Sequence, residues 1–222
     1  MTAHLDVVFL DVGGVLYDEA PYRDAILRAL REMGSAASDA EYLAEYDRCR
    51  RAQDGSFRTR LGRRFLGPDV DIDELTRRAS AHWAYPPGSL HDDVPGCLDE
   101  LAGRYRLGLI ANQQSAVREA IHRDRIEPYL ELWAISEDLG FDKPDPRLFR
   151  HALDAAAADP ERTAMCGDRL DYDVRPARAI GMRTVWVLRG EAPDHPTPEQ
   201  LAEPDAAVRS LADLPAALEA LA

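Results

Sequence analysis

Five short apolar runs set the limits on what this 222-residue chain can become. Val7–Leu10, Leu107–Ala111, Leu132–Ile135, Thr163–Cys166 and Thr184–Leu188 each have the length and continuous apolarity of a strand buried on both faces. Helical patterns separate the later runs. Ser115 is expected to cap a helix through about Ile121, Pro146–Ala157 reads as another, and Val174–Ile180 ends at Gly181, a C-cap glycine. Strands alternating with helices predict a three-layer α/β/α, Rossmann-like parallel sheet, with ligands at the carboxyl ends of its strands. Residues 206–221 are expected to add a short strand and a closing helix. Pro193–Pro204, with four prolines, is expected to be an irregular loop.

The interval between the first two strands breaks the alternation. It carries only helical patterns: Pro21–Met33, Ser38–Arg51, Phe57–Phe65 and Asp71–Ala84. Pro21 suits a first helical turn, and Ser38 with Glu41 forms a capping box. The chain therefore reads as an α/β core of residues 1–16 and 91–222, with an all-helical domain, residues 17–90, inserted into it. Pro86-Pro87-Gly88 is the expected return hinge.

Composition narrows the function classes. Hydrophobic residues make up 45% of the chain, enough for a sizeable core. No apolar run approaches the roughly 20 residues that span a bilayer, and the first residues lack the basic start of a secretory signal. Cys49, Cys97 and Cys166 are far apart and form no metal-binding or disulfide pattern, which fits a reduced, cytoplasmic protein. A net charge of −13 opposes nucleic acid and anionic membrane as partners. A small anionic substrate in a locally basic pocket remains compatible, in a monomer or a homodimer.

The basic residues point to one position. Of 27, all are arginines except Lys143, in the sequence Phe141-Asp142-Lys143-Pro144-Asp145-Pro146. Lysine is a compact point charge on a flexible stem, whereas arginine is a planar fork. Lys143 is therefore expected where one small cation must reach a crowded anionic centre. Acidic residues follow two of the strands: Asp11 after the first, and Asp168, Asp171 and Asp173 after the fourth. Carboxylates gathered at the mouth of a sheet repel one another unless a cation relieves them. Hard oxygen ligands with open positions suit Mg²⁺, which binds substrate phosphate.

These segments resemble the haloacid dehalogenase (HAD) superfamily of hydrolases, and the resemblance runs in order over nearly the whole chain. Asp11-Val12-Gly13-Gly14-Val15-Leu16 is similar to the family's first motif and Leu109-Ile110-Ala111-Asn112 to the second. Lys143-Pro144-Asp145-Pro146 with Phe149 is similar to the third, and Gly167-Asp168 through Asp173, then Ala177 and Gly181-Met182, to the fourth. The helical insertion falls where the family carries a helical cap of the C1 type, expected to close by hinges near residues 16–20 and 86–91.

The resemblance implies a Mg²⁺-dependent phosphatase of small phosphorylated metabolites working through an aspartyl-phosphate. Asp11 would be the nucleophile and Lys143 its catalytic partner. Asp11, the Gly13 carbonyl and Asp168 would hold the metal, with Asp173 either a further ligand or a partner that orients the ligands. Gly13, Gly14, Ala111, Asn112 and Lys143 would bind the phosphate. Two positions depart from the family pattern. Gly13 stands where a second aspartate usually protonates the leaving group, and Ala111 where a serine or threonine usually binds phosphate. A lost general acid costs about 10²–10⁴-fold in rate, so good leaving groups should be favoured; Tyr17 or Asp18 is a candidate alternative proton source. The competing readings are a catalytically weak or silent phosphate- and metal-binding protein and, as a minor one, a haloacid dehalogenase. Gly13 counts against a phosphomutase, which needs the second acid.

The arginines of the insertion, Arg48, Arg50, Arg51, Arg58, Arg60, Arg63 and Arg64, are expected mostly on a solvated face among Glu45, Asp47 and Asp54. Trp83, Tyr85, Trp133, Trp186 and Cys166 are expected to pack, and His122 and His151 to lie on helix surfaces.

Overall fold

The computed structural model describes residues 4–221. Six parallel strands form one sheet: β1 (Val7–Leu10), β2 (Arg106–Ala111), β3 (Leu132–Ile135), β4 (Thr163–Gly167), β5 (Arg183–Val187) and β6 (Ala206–Val208). Their order is β3-β2-β1-β4-β5-β6. Leu10 pairs with Leu109 of β2 and Cys166 of β4, so β1 is central and all four of its side chains are buried. The order reverses between β1 and β4, the place where such sheets leave a crevice at their carboxyl ends.

Alternation along the strands divides the core between the two faces. Val7, Phe9, Ile110, Ala134 and Met165 pack with Leu148, Phe149, Ala152 and Leu153 of the helix Pro146–Ala156. On the other side, the helices Val94–Ala102 and Leu214–Leu221 pack against β2 and β5 with Cys97, Leu98, Leu101, Leu214 and Leu218 buried. Val94–Ala102 escaped the sequence pattern because it is only nine residues long and carries Pro95-Gly96 in its first turn.

Several local expectations need correction. The predicted helix near Ser115 runs Val117–Arg123, with no side-chain cap, because the Ser115 N–H and hydroxyl are drawn instead to Glu137 and Asp138. The predicted Val174–Ile180 helix is a wide turn, Leu170–Val174, followed by a short helix, Arg175–Ala179. The proline-rich loop contains a one-turn helix, Pro198–Leu201, held by a capping box between Thr197 and Gln200.

The chain divides into two compact units, residues 1–18 with 87–222, and residues 19–86. The expected boundaries shift by two and four residues because Tyr17 bridges to Gly13 and Leu90, and the Asp18 N–H donates to the Ser89 carbonyl at 2.8 Å. These backbone bonds hold residues 17–18 and 89–90 to the α/β unit. The helical unit contains Ala20–Glu32, Asp39–Ala52, Phe57–Leu66 and Ile72–His82. Ile26, Leu30, Tyr42, Tyr46, Leu61 and Leu75 form its centre. Three of its helices begin at side-chain caps: Ser38, in a full capping box with Glu41, Ser56 and Asp71. No helix among the described residues is long and apolar enough to cross a membrane.

Candidate active site

Asp11 and Asp168 stand just past the ends of β1 and β4, the two strands that flank the reversal in sheet order. The Asp11 N–H still donates to the Cys166 carbonyl at 2.9 Å, so the ladder fixes where its side chain begins. Asp173 comes from the turn after β4, and Lys143 from the segment between β3 and the helix Pro146–Ala156. One oxygen from each of Asp11, Asp168 and Asp173 lies within 4.8 Å of the others.

Lys143 lies inside this cluster. Its Nζ is 2.8 Å from Asp11 Oδ1 and 2.6 Å from Asp173 Oδ1, and its side chain is 2% exposed. Burial disfavours the ammonium charge, but the two carboxylates outweigh it and hold the lysine above its ordinary pKa. The lysine backbone is clamped as well. Asn112, just past β2, donates from Nδ2 to the Lys143 carbonyl at 2.9 Å and accepts the Lys143 N–H at Oδ1, 2.6 Å away. The Asn112 side chain, expected on the phosphate, is thus committed at both ends to positioning the lysine.

Asp173 is also fully engaged. Its Oδ1 accepts from Lys143, and its Oδ2 accepts the Arg169 N–H at 2.9 Å. Gly167 permits this, since a Cβ there would overlap the Asp173 carboxylate. Asp168 differs: Oδ2 accepts the Glu191 N–H at 2.6 Å, and Oδ1 has no donor among the described residues.

One lysine against three clustered carboxylates leaves negative charge uncompensated. Asp11 is pushed up to about 6, chiefly by burial, with Asp173 adding repulsion and Lys143 opposing it. Burial and the charges of Asp11, Glu191 and Asp173 raise Asp168 well above the usual carboxylate range. Buried carboxylates held apart from their ordinary ionisation suit a hard divalent cation, which would restore their charge. The donor set therefore fits magnesium. Asp11 and Asp168 fit as direct ligands better than Asp173, whose oxygens are already bonded.

Gly13 and Gly14 form the turn after β1. Gly14 takes a positive φ of +68°, and a Cβ there would overlap Asp168 Oδ2. Glycine at this position lets the two loops meet. Ala111 is buried at the end of β2 and offers no side-chain hydrogen bond. Tyr17, expected as a possible proton source, is buried; burial and the neighbouring Asp124 raise its phenol, which makes it a poorer acid. Asp18 is exposed, while Cys166 and Trp186 are buried in their strands. The motifs gave no signal for Arg169, Glu191 and Arg189, which surround the cluster. Their only trace in the sequence is nearness to Asp168 or to the end of β5.

The chain matches the HAD-hydrolase-like family model over residues 140–214. It is 34% identical to a phosphoserine phosphatase of Thermus thermophilus over 87% of its own length, but spans only 64% of that protein. It is 30% identical to a plasmid-encoded phosphoglycolate phosphatase of Cupriavidus necator, covering 95% of this chain and 92% of the relative. Among solved structures, the magnesium-bound HAD-hydrolase YfnB of Bacillus subtilis superposes with a TM-score of 0.68 at 19% identity, over 97% of this chain and 99% of that one.

Proposed function

The chain belongs to the HAD-like hydrolases, and from that premise we propose that it is a Mg²⁺-dependent phosphatase of small phosphorylated metabolites. The observation that carries the proposal is Lys143, the chain's only lysine, buried between Asp11 and Asp173 beside Asp168. The named phosphatase relatives act on phosphoserine and phosphoglycolate, and the proposal extends that general class of substrate to this chain.

In this reading Asp11 attacks phosphorus. A new Asp11–phosphorus bond forms, the ester oxygen–phosphorus bond breaks, and the leaving alkoxide takes a proton. Water then attacks the acyl phosphate, releasing inorganic phosphate and regenerating Asp11. Lys143 keeps Asp11 ionised and faces the transferring oxygens, a charge already in place before reaction. Asn112 fixes the lysine through its backbone. Asp173 sets the direction of the ammonium. Magnesium, held by Asp11, Asp168 and the Gly13 carbonyl, would neutralise phosphoryl charge. Gly13 supplies no proton, so the leaving group depends on its own acidity or on water.

Hydrolysis of p-nitrophenyl phosphate and acetyl phosphate, with Mg²⁺ and with EDTA, tests this for the wild type and Asp11→Asn. The expected result is metal-dependent turnover that disappears in the variant and favours acetyl phosphate. Magnesium and phosphate binding without turnover by folded wild type would instead assign a binding protein. Metal-independent chloride release from a 2-haloacid would assign a dehalogenase.

A further inference from the structure

The loop after β5, residues 188–192, meets both Asp168 and the turn that follows β1. Arg189 donates to the carbonyls of Gly14 (3.2 Å) and Val15, and to both oxygens of Asp93 at 2.9 Å. Asp93 also accepts Ser210 Oγ at 2.7 Å and the Leu211 N–H at 2.8 Å. Gly190, at φ +60°, passes so close to Gly14 that a Cβ would overlap Gly14 Cα and Asp168 Oδ2. Next, the Glu191 N–H takes Asp168 Oδ2, and the Glu191 carboxylate accepts from Arg169 Nη1 at 2.7 Å. Arg169 is 6% exposed, donates to both oxygens of Asp171 at 2.9 and 2.8 Å, and lies 4.4 Å from the centre of the Tyr172 ring.

This arrangement is a poor choice for stability alone. Buried ion pairs are often no better than well-packed apolar residues of the same volume. Here the two acids around Arg169 outnumber its charge, and Glu191 adds repulsion to Asp168. The arrangement does have a geometric consequence. It commits Oδ2 of Asp168 to a fixed N–H and leaves Oδ1 as the oxygen available to the cluster.

We propose that Arg169 and Glu191 are a positioning pair that anchors the loop after β5 to Asp168, so that a single carboxylate oxygen is presented to the divalent cation. The inference rests on the metal-dependent reading above. Partners that orient a metal ligand typically contribute about 10–100-fold in affinity.

Mn²⁺ titration of the full chain, followed by loss of the free-ion electron paramagnetic resonance signal, tests it. The variants are Glu191→Ala, Glu191→Gln, Arg169→Met, the double variant Glu191→Ala/Arg169→Met, and Asp168→Asn. Each is also melted in EDTA. Glu191→Ala and Arg169→Met should weaken Mn²⁺ binding about 10-fold or more, in addition to any fall in metal-free melting temperature that comes from breaking a buried pair. The double variant should be no weaker than the poorer single one, because the two residues act as one device. Glu191→Gln keeps an acceptor for Arg169 and should recover part of the affinity. Affinities within about twofold of wild type, whatever the melting temperatures, would show that the pair does not position Asp168 and overturn the inference while the metal reading stands. Wild type that binds no Mn²⁺, or Asp168→Asn that binds as wild type does, would overturn the metal reading and the inference with it.

Discussion

In residues 19–86 most arginine pairs are close in sequence, Arg64 with Glu45 and Arg78 with Glu32 being the longer-range exceptions. Arg48 pairs with Glu45, Arg51 with Asp47, and Arg77 and Arg78 with Glu74, on side chains that are exposed or half-buried. In the α/β unit the informative cations, Lys143 and Arg169 buried and Arg189 half-buried, reach across the fold. Lys143 reaches back to Asp11 and on to Asp173, Arg169 pairs with Glu191, and Arg189 meets Gly14 and Val15. Charge density alone would have drawn attention to the helical unit. The contrast is in desolvation: an exposed pair near in sequence is screened and contributes little, whereas a buried charge held by distant residues persists only if the whole fold supports it.

Three experiments test that contrast, beginning where the effect should be largest. Lys143→Met leaves Asp11 and Asp173 buried without their cation. It should abolish metal-dependent turnover and lower the metal-free unfolding free energy near pH 7 by about 3–5 kcal/mol, measured by urea denaturation. A loss below about 1 kcal/mol would place Lys143 in the same class as the surface arginines.

A smaller effect is expected from protons competing with metal. Asp11 is pushed up to about 6 and Asp168 is raised as well. Between the unfolded carboxylate value of about 3.9 and about 6, the folded protein therefore holds more protons than the unfolded chain. Its metal-free stability contribution from these groups falls as pH rises through that window. A divalent cation reverses this by displacing the protons. The gain in melting temperature from millimolar Mg²⁺ over EDTA should be slight near pH 5 and clear near pH 7. An equal gain at both would mean that the cation binds elsewhere.

The smallest effect belongs to the helical unit. Arg51→Ala should change unfolding free energy by no more than about 0.5 kcal/mol, as expected of an exposed pair. A loss of 2 kcal/mol or more, on the scale of a disrupted buried network, would show that the two regions do not differ in this way.

Much of the α/β unit was legible because burial on both faces leaves a strong trace. Val7–Leu10 and Leu132–Ile135 are strands at the expected residues, β2 and β4 differ from expectation by one residue at one end, and β5 lies one residue earlier at both ends. Short or turn-bound pieces were less legible. Val94–Ala102 is too short to display a clear period, and the helix after Ser115 starts late because distant acids draw off the serine. The motifs named Asp11, Lys143, Asp168 and Asp173, and the fold brings these four together. Asn112 belongs to the same neighbourhood, but its side chain grips the Lys143 backbone, a contact that no spacing rule predicts.

The sequence by itself determined the alternation of buried strands and helices, the helical insertion, and which carboxylates follow which strands. These follow from apolar periodicity, caps and turn residues, all of which are local. Only the tertiary structure decided that Asp173 is bonded at both oxygens, that Asp168 keeps one oxygen without a donor among the described residues, and that Arg169, Glu191 and Arg189 brace the loops around them. Apart from the Arg169 N–H bond to Asp173, which spans four residues, those contacts join residues from 22 to 175 positions apart. They exist because β1, β4 and β5 end side by side, a consequence of strand order that no local pattern encodes.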